Sequence, residues 1–272
     1  MRRKHVRKDA VQLEEARLKG VENINDYSAF HERHRIFPAV FENRQHKEIL
    51  DIAAGVGVVG KRITDNYEVP GGFKVLCNDI CPTCLKVLAR EGLQTTSFSI
   101  DDEKEPFPFP DGSFDTIIAL ATIEHVINID HFISEIYRLL DDDGYLYLSA
   151  PNYSGLLYLL PMIFSGKTFH DPMAEDSRYE FYAHVRYFTY RTLYELVSSF
   201  GFTLDTVYIG VPKSSSHYMA LHSRSKSKAF AFRTLMTMLY TCFSPRWATE
   251  PVLCFRKSKT KNNPSKPRKV LL

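Results

Sequence analysis

Apolar residues follow one another along this chain in two rhythms. Short runs rich in Val, Ile, Leu, Phe and Tyr occur at KEILDIAA, KVLCNDI, TTSFSID, FDTIIALA and GYLYLSAP. Polar or turn-forming residues bound each run, as expected of buried strands. Between them the spacing lengthens to a helical period over residues 58–66, 82–91 and 130–140. In the third segment Ile133, Ile136, Tyr137 and Leu140 recur at i, i+3, i+4 and i+7. Pro82 suits the first turn of its helix, and Gly144 falls near the stop of the third. Strands alternating with helices predict a doubly wound, Rossmann-like α/β sheet with helices on both faces. Its ligands are expected at the carboxyl ends of the strands.

After Pro151 the rhythm changes. Residues 152–188 read as an aromatic-rich connector, 190–200 as a helix and 202–211 as a sixth strand. The stretch 212–249 interrupts again, and 251–255 supplies a seventh and last strand placed to pair antiparallel with its predecessor. The expected organisation is a helical segment at 1–46 with a basic end, a core at 47–258 carrying insertions at about 152–188 and 212–249, and a basic disordered tail at 259–272.

A chain of 272 residues with 44% hydrophobic content is long enough for one large α/β domain. Its net charge of +3 hides an asymmetry: residues 1–8 and 256–272 are rich in Lys and Arg and contain no acid, which leaves the chain between them net acidic. Such ends read as solubilising, with attraction to anionic lipid or nucleic acid as the alternative; no specific nucleic-acid site is predicted. No apolar run approaches the ~20 residues of a membrane span, and the basic N-terminus leads into polar sequence. The expectation is a soluble, cytoplasmic protein, with peripheral membrane contact as the alternative. LLYLLPMIF at 156–164 and AFAFRTLMTMLYTCF at 229–243 read either as helices packed over the sheet or as lids that receive a greasy acceptor.

Three of five cysteines cluster as Cys77, Cys81 and Cys84. The spacing is similar to the iron–sulfur loop of radical-SAM enzymes. Cys77, however, lies inside an apolar strand, which points its thiol away from a loop ligand set, and no fourth zinc ligand is at hand. Buried, reduced thiols are expected, and no metal ligands are assigned.

Candidate chemistry centres on residues 49–63, ILDIAAGVGVVGKRI. Gly55 and Gly57 let backbone approach a ligand at the start of the following helix, and Asp79, at the end of the second strand, is placed to accept hydrogen bonds from ribose hydroxyls. Nicotinamide dinucleotides and S-adenosylmethionine (SAM) both satisfy these features. Residues 101–125, DDEKEPFPFPDGSFDTIIALATIEH, separate the two. Acids after the third strand, a proline–aromatic turn, Phe-Asp opening the fourth strand and Glu-His closing it resemble the class I SAM-dependent methyltransferases, in particular the small-molecule group that includes the ubiquinone-pathway enzymes. The resemblance is strong over about 45–155 and looser to 258.

That resemblance implies a SAM-dependent methyltransferase. Asp51, Ala53, Gly55 and Gly57 would form the loop around the amino acid part of SAM, with alanine at 53 where the family commonly has glycine. Asp79 would bind the ribose and Ile80 would pack on adenine. Asp102, with Asp101 as competitor, would meet the adenine amino group, and Ala121 and Thr122 would line the floor beside the sulfonium. Catalytic candidates are His125, at the end of the fourth strand, and His184 in YAHVRYFTYRTLYEL, a segment similar to methyltransferases of glycan pathways. The implied acceptor is a small molecule, lipid-linked compound or glycan. The rival readings are a methyltransferase-like binding or scaffold protein, an NAD(P)-dependent oxidoreductase and a radical-SAM enzyme.

Overall fold

The computed structural model describes residues 10–167, 173, 178–243, 245–257 and 267–272. The basic segment 1–8 and residues 258–266 of the expected tail lie outside the described residues. The chain opens with α1 (Ala10–Arg17) and α2 (Glu32–Arg35), and then alternates: β1 (Glu48–Ile52), α3 (Val58–Asn66), β2 (Lys74–Asn78), α4 (Pro82–Arg90), β3 (Gln94–Thr96), β4 (Phe114–Leu120), α5 (Ile129–Leu139) and β5 (Leu140–Ser149). Next come α6 (Leu156–Ser165), α7 (Arg178–Ala183), α8 (Tyr190–Ser199), β6 (Phe202–Ile209), α9 (Ser216–Arg224), α10 (Lys226–Cys242), β7 (Val252–Lys257) and β8 (Arg268–Leu271).

The strands form one sheet in the order β3-β2-β1-β4-β5-β7-β6-β8. β7 runs antiparallel to both β5 and β6, and the remaining neighbours are parallel. The expected seven strands are therefore eight, and residues 268–271, assigned to a disordered tail, form the outermost one. Strand alternation divides the core between the faces. Leu50, Ile52, Ile117, Ala119, Leu146 and Leu148 pack with Phe132, Ile133 and Ile136 of α5 and Leu193 and Val197 of α8. Ile49, Ile118 and Tyr147 point the other way, onto Val59 and Ile63 of α3 and the segment containing Phe37, Val40 and Phe41. One residue of shift in any central strand would exchange the two sets.

Two expectations need correction. Gly144 does not stop α5, which ends at Leu139; it lies within β5, where a Cβ would come within 2.7 Å of the Asp141 carboxylate. The third strand is three residues long rather than seven, because Asn78 holds Phe98 through both backbone groups and turns the chain into the loop at 99–113.

The order of strands reverses between β1 and β4, the position where doubly wound sheets bind ligands. Both strands run into a left-handed alanine there, Ala53 at φ 51° and Ala121 at φ 49°. Residues with a Cβ seldom adopt this conformation, and it concentrates at functional sites. Both long insertions rise from the same edge. α6 follows the end of β5, and α9 and α10 lie between the end of β6 and the start of β7, where Tyr208 pairs with Val252 and Leu148 with Leu253.

Candidate active site

The glycine loop is built by two different constraints. Gly57, at φ 84°, caps α3, and a Cβ there would lie 2.5 Å from Leu88 Cδ2 and 2.8 Å from Leu93 Cδ1. At Gly55, φ 59°, a Cβ would meet nothing within 4 Å, so the loop presents open space on that side. Asp79 ties the loop to β2: the Gly55 N–H donates to its Oδ2 at 2.9 Å and the Cys81 N–H to its Oδ1 at 2.8 Å. Asp51 lies beneath, buried, with Oδ2 lacking any hydrogen-bond partner. Burial, reinforced by the Asp79 carboxylate, pushes Asp51 up to about 8, and burial also raises Asp79.

These acids make the ligand-free protein pH-sensitive. Asp51 holds its proton more tightly folded than unfolded, so its contribution to stability is complete below its unfolded value near 4 and is lost as pH rises through about 8. Thermal melts of ligand-free protein should show stability falling across that window, by a few kcal/mol at most, and Asp51→Asn should flatten the slope. A profile identical in the variant would remove Asp51 as its source.

Of the two candidate adenine acids, Asp101 is committed elsewhere. Its carboxylate accepts the N–H groups of Ile127 and Asn128 ahead of α5. Asp102 is exposed and accepts the nearby Lys104 N–H at 3.1 Å. Ile80 is 43% exposed beside Asp79, an apolar surface offered to a ring. Ala121 donates its N–H to the Ser149 carbonyl at 3.0 Å, and Thr122 is buried with its hydroxyl on the Leu120 carbonyl.

The two catalytic candidates, 59 residues apart in sequence, are neighbours, with ring centroids 4.8 Å apart. The pair is held by backbone. His125 Nδ1 lies 3.0 Å from the Ala183 carbonyl, and the N–H groups of Val185 and Arg186 both donate to the Glu124 carbonyl. Burial lowers His125 below the ordinary imidazole value. Sequence reasoning passed over Glu124 itself. Its side chain is fully buried, both carboxylate oxygens lack hydrogen-bond partners, and burial, with Glu250 nearby, pushes it up to about 8. The Glu-His pair is visible in the sequence, but the burial follows only from the fold.

The N-terminal segment also reaches this edge. Leu18 is buried among Val56 of the glycine loop and Cys81, Cys84 and Val87 at α4. Glu14 is close enough to raise both Asp79 and His125 electrostatically. The cysteines are packing residues: Cys77 belongs to the α3 face, Cys81 and Cys84 sit under Leu18, and burial raises the Cys77 and Cys84 thiols. Asp115 and Phe114, at the entrance of β4, are also structural. The Asp115 carboxylate accepts the N–H groups of Lys47 and Glu48, and Phe114 is buried.

The acids around the glycine loop distinguish the two nucleotide cofactors. SAM would offer an ammonium to Asp51 and ribose hydroxyl donors to Asp79. A dinucleotide would likewise offer a ribose to Asp79, so the distinction rests on Asp51, buried beneath the glycine loop, which would suit an ammonium better than a pyrophosphate. The residues therefore fit SAM, and fold and site together define a Rossmann-like SAM-binding protein. A sequence profile described as "Methyltransferase domain" matches residues 21–207. The chain belongs to this family, within the class I SAM-dependent methyltransferases.

The malonyl-[acyl-carrier protein] O-methyltransferase of Geobacter sulfurreducens is 28% identical over 46% of this chain and 48% of its own length. The ubiquinone/menaquinone biosynthesis C-methyltransferase UbiE of Bartonella henselae is 31% identical over 49% of this chain and 50% of its own. The chain thus spans about half the length of these curated relatives. A phosphoethanolamine N-methyltransferase 2 of Haemonchus contortus, solved with SAM, shares the fold at a TM-score of 0.56 and 15% identity, covering 92% of this chain and 57% of its own.

Proposed function

We propose that this chain transfers the methyl group of SAM to a small hydrophobic or lipid-linked acceptor. Bound SAM supplies a methyl carbon already activated by its sulfonium. The chain's residues align the acceptor with it and exclude water, which can contribute about 7–11 kcal/mol of barrier reduction. Asp51, the glycine loop and Asp79 hold the cofactor side, with Asp102 and Ile80 toward adenine. Thr122, His125 and His184 stand on the acceptor side.

The observation that carries the choice of acceptor is α6. It follows the end of β5 and leads toward His184, yet among its side chains only Tyr158 is buried; Leu157, Leu160, Met162, Ile163 and Phe164 are exposed. In the other insertion Phe230, Leu235 and Met238 of α10 are exposed as well, and residues 206–249 contain no acid. Exposed apolar surface of this extent marks an interaction site, and basic, acid-free flanks suit an anionic lipid interface. Among the described residues no helix is long and apolar enough to cross a membrane.

Incubating the protein with methyl-labelled SAM and fractionated cell extract tests the proposal. Label is expected in the lipid-extractable fraction. Label confined to polysaccharide would make the acceptor a glycan, and SAM binding with no labelled product in any fraction would support the binding or scaffold reading instead. Calorimetry in parallel should detect SAM and no NAD(P)H.

A further inference from the structure

The fold gathers at one point three side chains that the methyl-transfer scheme above does not use together. Glu124, His125 and His184 each offer a ligand atom, and these atoms lie within 4.8 Å of one another. Among the described residues this is the one group of three or more His, Cys, Asp or Glu side chains so placed. From these observations we propose that Glu124, His125 and His184 bind a divalent cation of the zinc type, whose open coordination position receives an acceptor hydroxyl. The proposal rests on the methyltransferase reading for the acceptor's role, although not for the cation site itself.

Two independent features of the cluster point to a cation. The first is Glu124: a fully buried carboxyl group with both oxygens unpartnered is a costly arrangement in a folded interior, and a bound cation would satisfy it. The second is the outer shell. Metal-ligating histidines usually engage the second ring nitrogen with a carbonyl or hydroxyl, which fixes the tautomer and the ring orientation. His125 Nδ1 donates to the Ala183 carbonyl, leaving the lone pair on Nε2, and His184 Nδ1 lies 3.2 Å from the Tyr153 hydroxyl.

The backbone is arranged to keep the set together. Val185 and Arg186 donate to the Glu124 carbonyl at 2.9 and 3.1 Å, and the Arg186 guanidinium donates to the Ile127 carbonyl at 2.9 Å. Two chain segments far apart in sequence are thereby clamped across the ligand set.

The donor types select the ion. Two imidazoles and one carboxylate suit zinc and similar borderline cations, whereas magnesium and calcium prefer all-oxygen sites. Tetrahedral zinc with ligands near 2.1 Å spaces its donors by roughly 3.4 Å, so binding draws the three side chains slightly together and leaves one position open, as in catalytic zinc sites. An acceptor hydroxyl there becomes more acidic. Its proton leaves to water, its oxygen forms the new bond to the methyl carbon, and the carbon–sulfur bond breaks with its electron pair remaining on sulfur. SAM and the alcohol become S-adenosylhomocysteine, the methyl ether and one proton.

The full chain, stripped with EDTA and then dialysed against Zn2+ or Co2+, tests this. Metal content by plasma mass spectrometry should reach one equivalent per chain, and the Co2+ form should show a visible ligand-field band. Glu124→Gln and His184→Ala, which each remove a direct ligand, should weaken metal binding by more than the roughly 10–100-fold typical of outer-shell changes and remove the band, while SAM affinity by calorimetry stays at the wild-type value. Wild-type protein that takes up no stoichiometric zinc or cobalt overturns the site, whatever the variants do, as does binding that survives both substitutions. SAM binding without metal binding would defeat this inference and leave the methyltransferase reading standing. Metal binding without SAM binding would do the reverse.

Discussion

Gly57→Ala should lower the melting temperature by roughly 5–10 °C and weaken SAM binding along with it. Two effects add. The new Cβ would enter the van der Waals shells of Leu88 and Leu93, an overpacking that costs about 1–3 kcal/mol, and φ at 84° adds about 1 kcal/mol for any residue with a Cβ. At a few degrees per kcal/mol for a domain of this size, the expected shift follows. Gly55→Ala supplies the contrast. Its methyl would meet no protein atom within 4 Å, so stability should fall only by about 1 kcal/mol for its own left-handed φ of 59°, while the cradle for the cofactor would be partly filled. Calorimetry showing normal SAM affinity in Gly55→Ala would place the cofactor elsewhere.

The second large effect is expected at Asp79. Replacing it with alanine removes the acceptor of the Gly55 and Cys81 N–H groups as well as the group assigned to the ribose. SAM binding should weaken by about 1–3 kcal/mol, the range for hydrogen bonds to a charged group, which corresponds to roughly 5–150-fold in Kd. Asp79→Asn, which retains one oxygen acceptor, should fall between wild type and alanine. Acceptor affinity should be unchanged in both. Equal loss of acceptor and SAM affinity would mean that Asp79 acts through the shape of the whole edge rather than through the cofactor.

Much of this architecture could be read from the chain, because period-2 and period-3.6 patterns report burial directly. The helix at 58–66 and the antiparallel placement of the strand near 251–255 emerged from local signals alone. β8 did not. Its sequence, RKVL, sits in a basic stretch whose composition suggests a tail, and it becomes a strand because β6 offers an unpaired edge and because Val270 and Leu272 pack against the α3 face of the core. The site divides in the same way. Asp51, Gly55 and Gly57 lie close in sequence around one turn and announce themselves as a motif, and Asp79 follows at the end of the next strand. The proximity of His184 to Glu124 and His125 depends on how the connector folds back over β4, which no spacing encodes. The commitment of Asp101 to the N–H groups ahead of α5 was equally invisible, since an acid in a loop looks the same whether its partner is a ligand or a backbone amide.

Leu18 has a kinetic consequence. It is 2% exposed and packs with Val56 of the glycine loop and Cys81 and Cys84 at α4, so with SAM placed as proposed the N-terminal segment would lie beside its ribose. If exchange of spent for fresh cofactor needs that seat to empty, it exposes a leucine side chain at a cost of about 1.5–3 kcal/mol. An opening of that size is populated roughly one part in ten to one part in 150. Release of S-adenosylhomocysteine would be slowed by the same factor, and shortening the side chain at position 18 would speed it while loosening the grip on both forms of the cofactor.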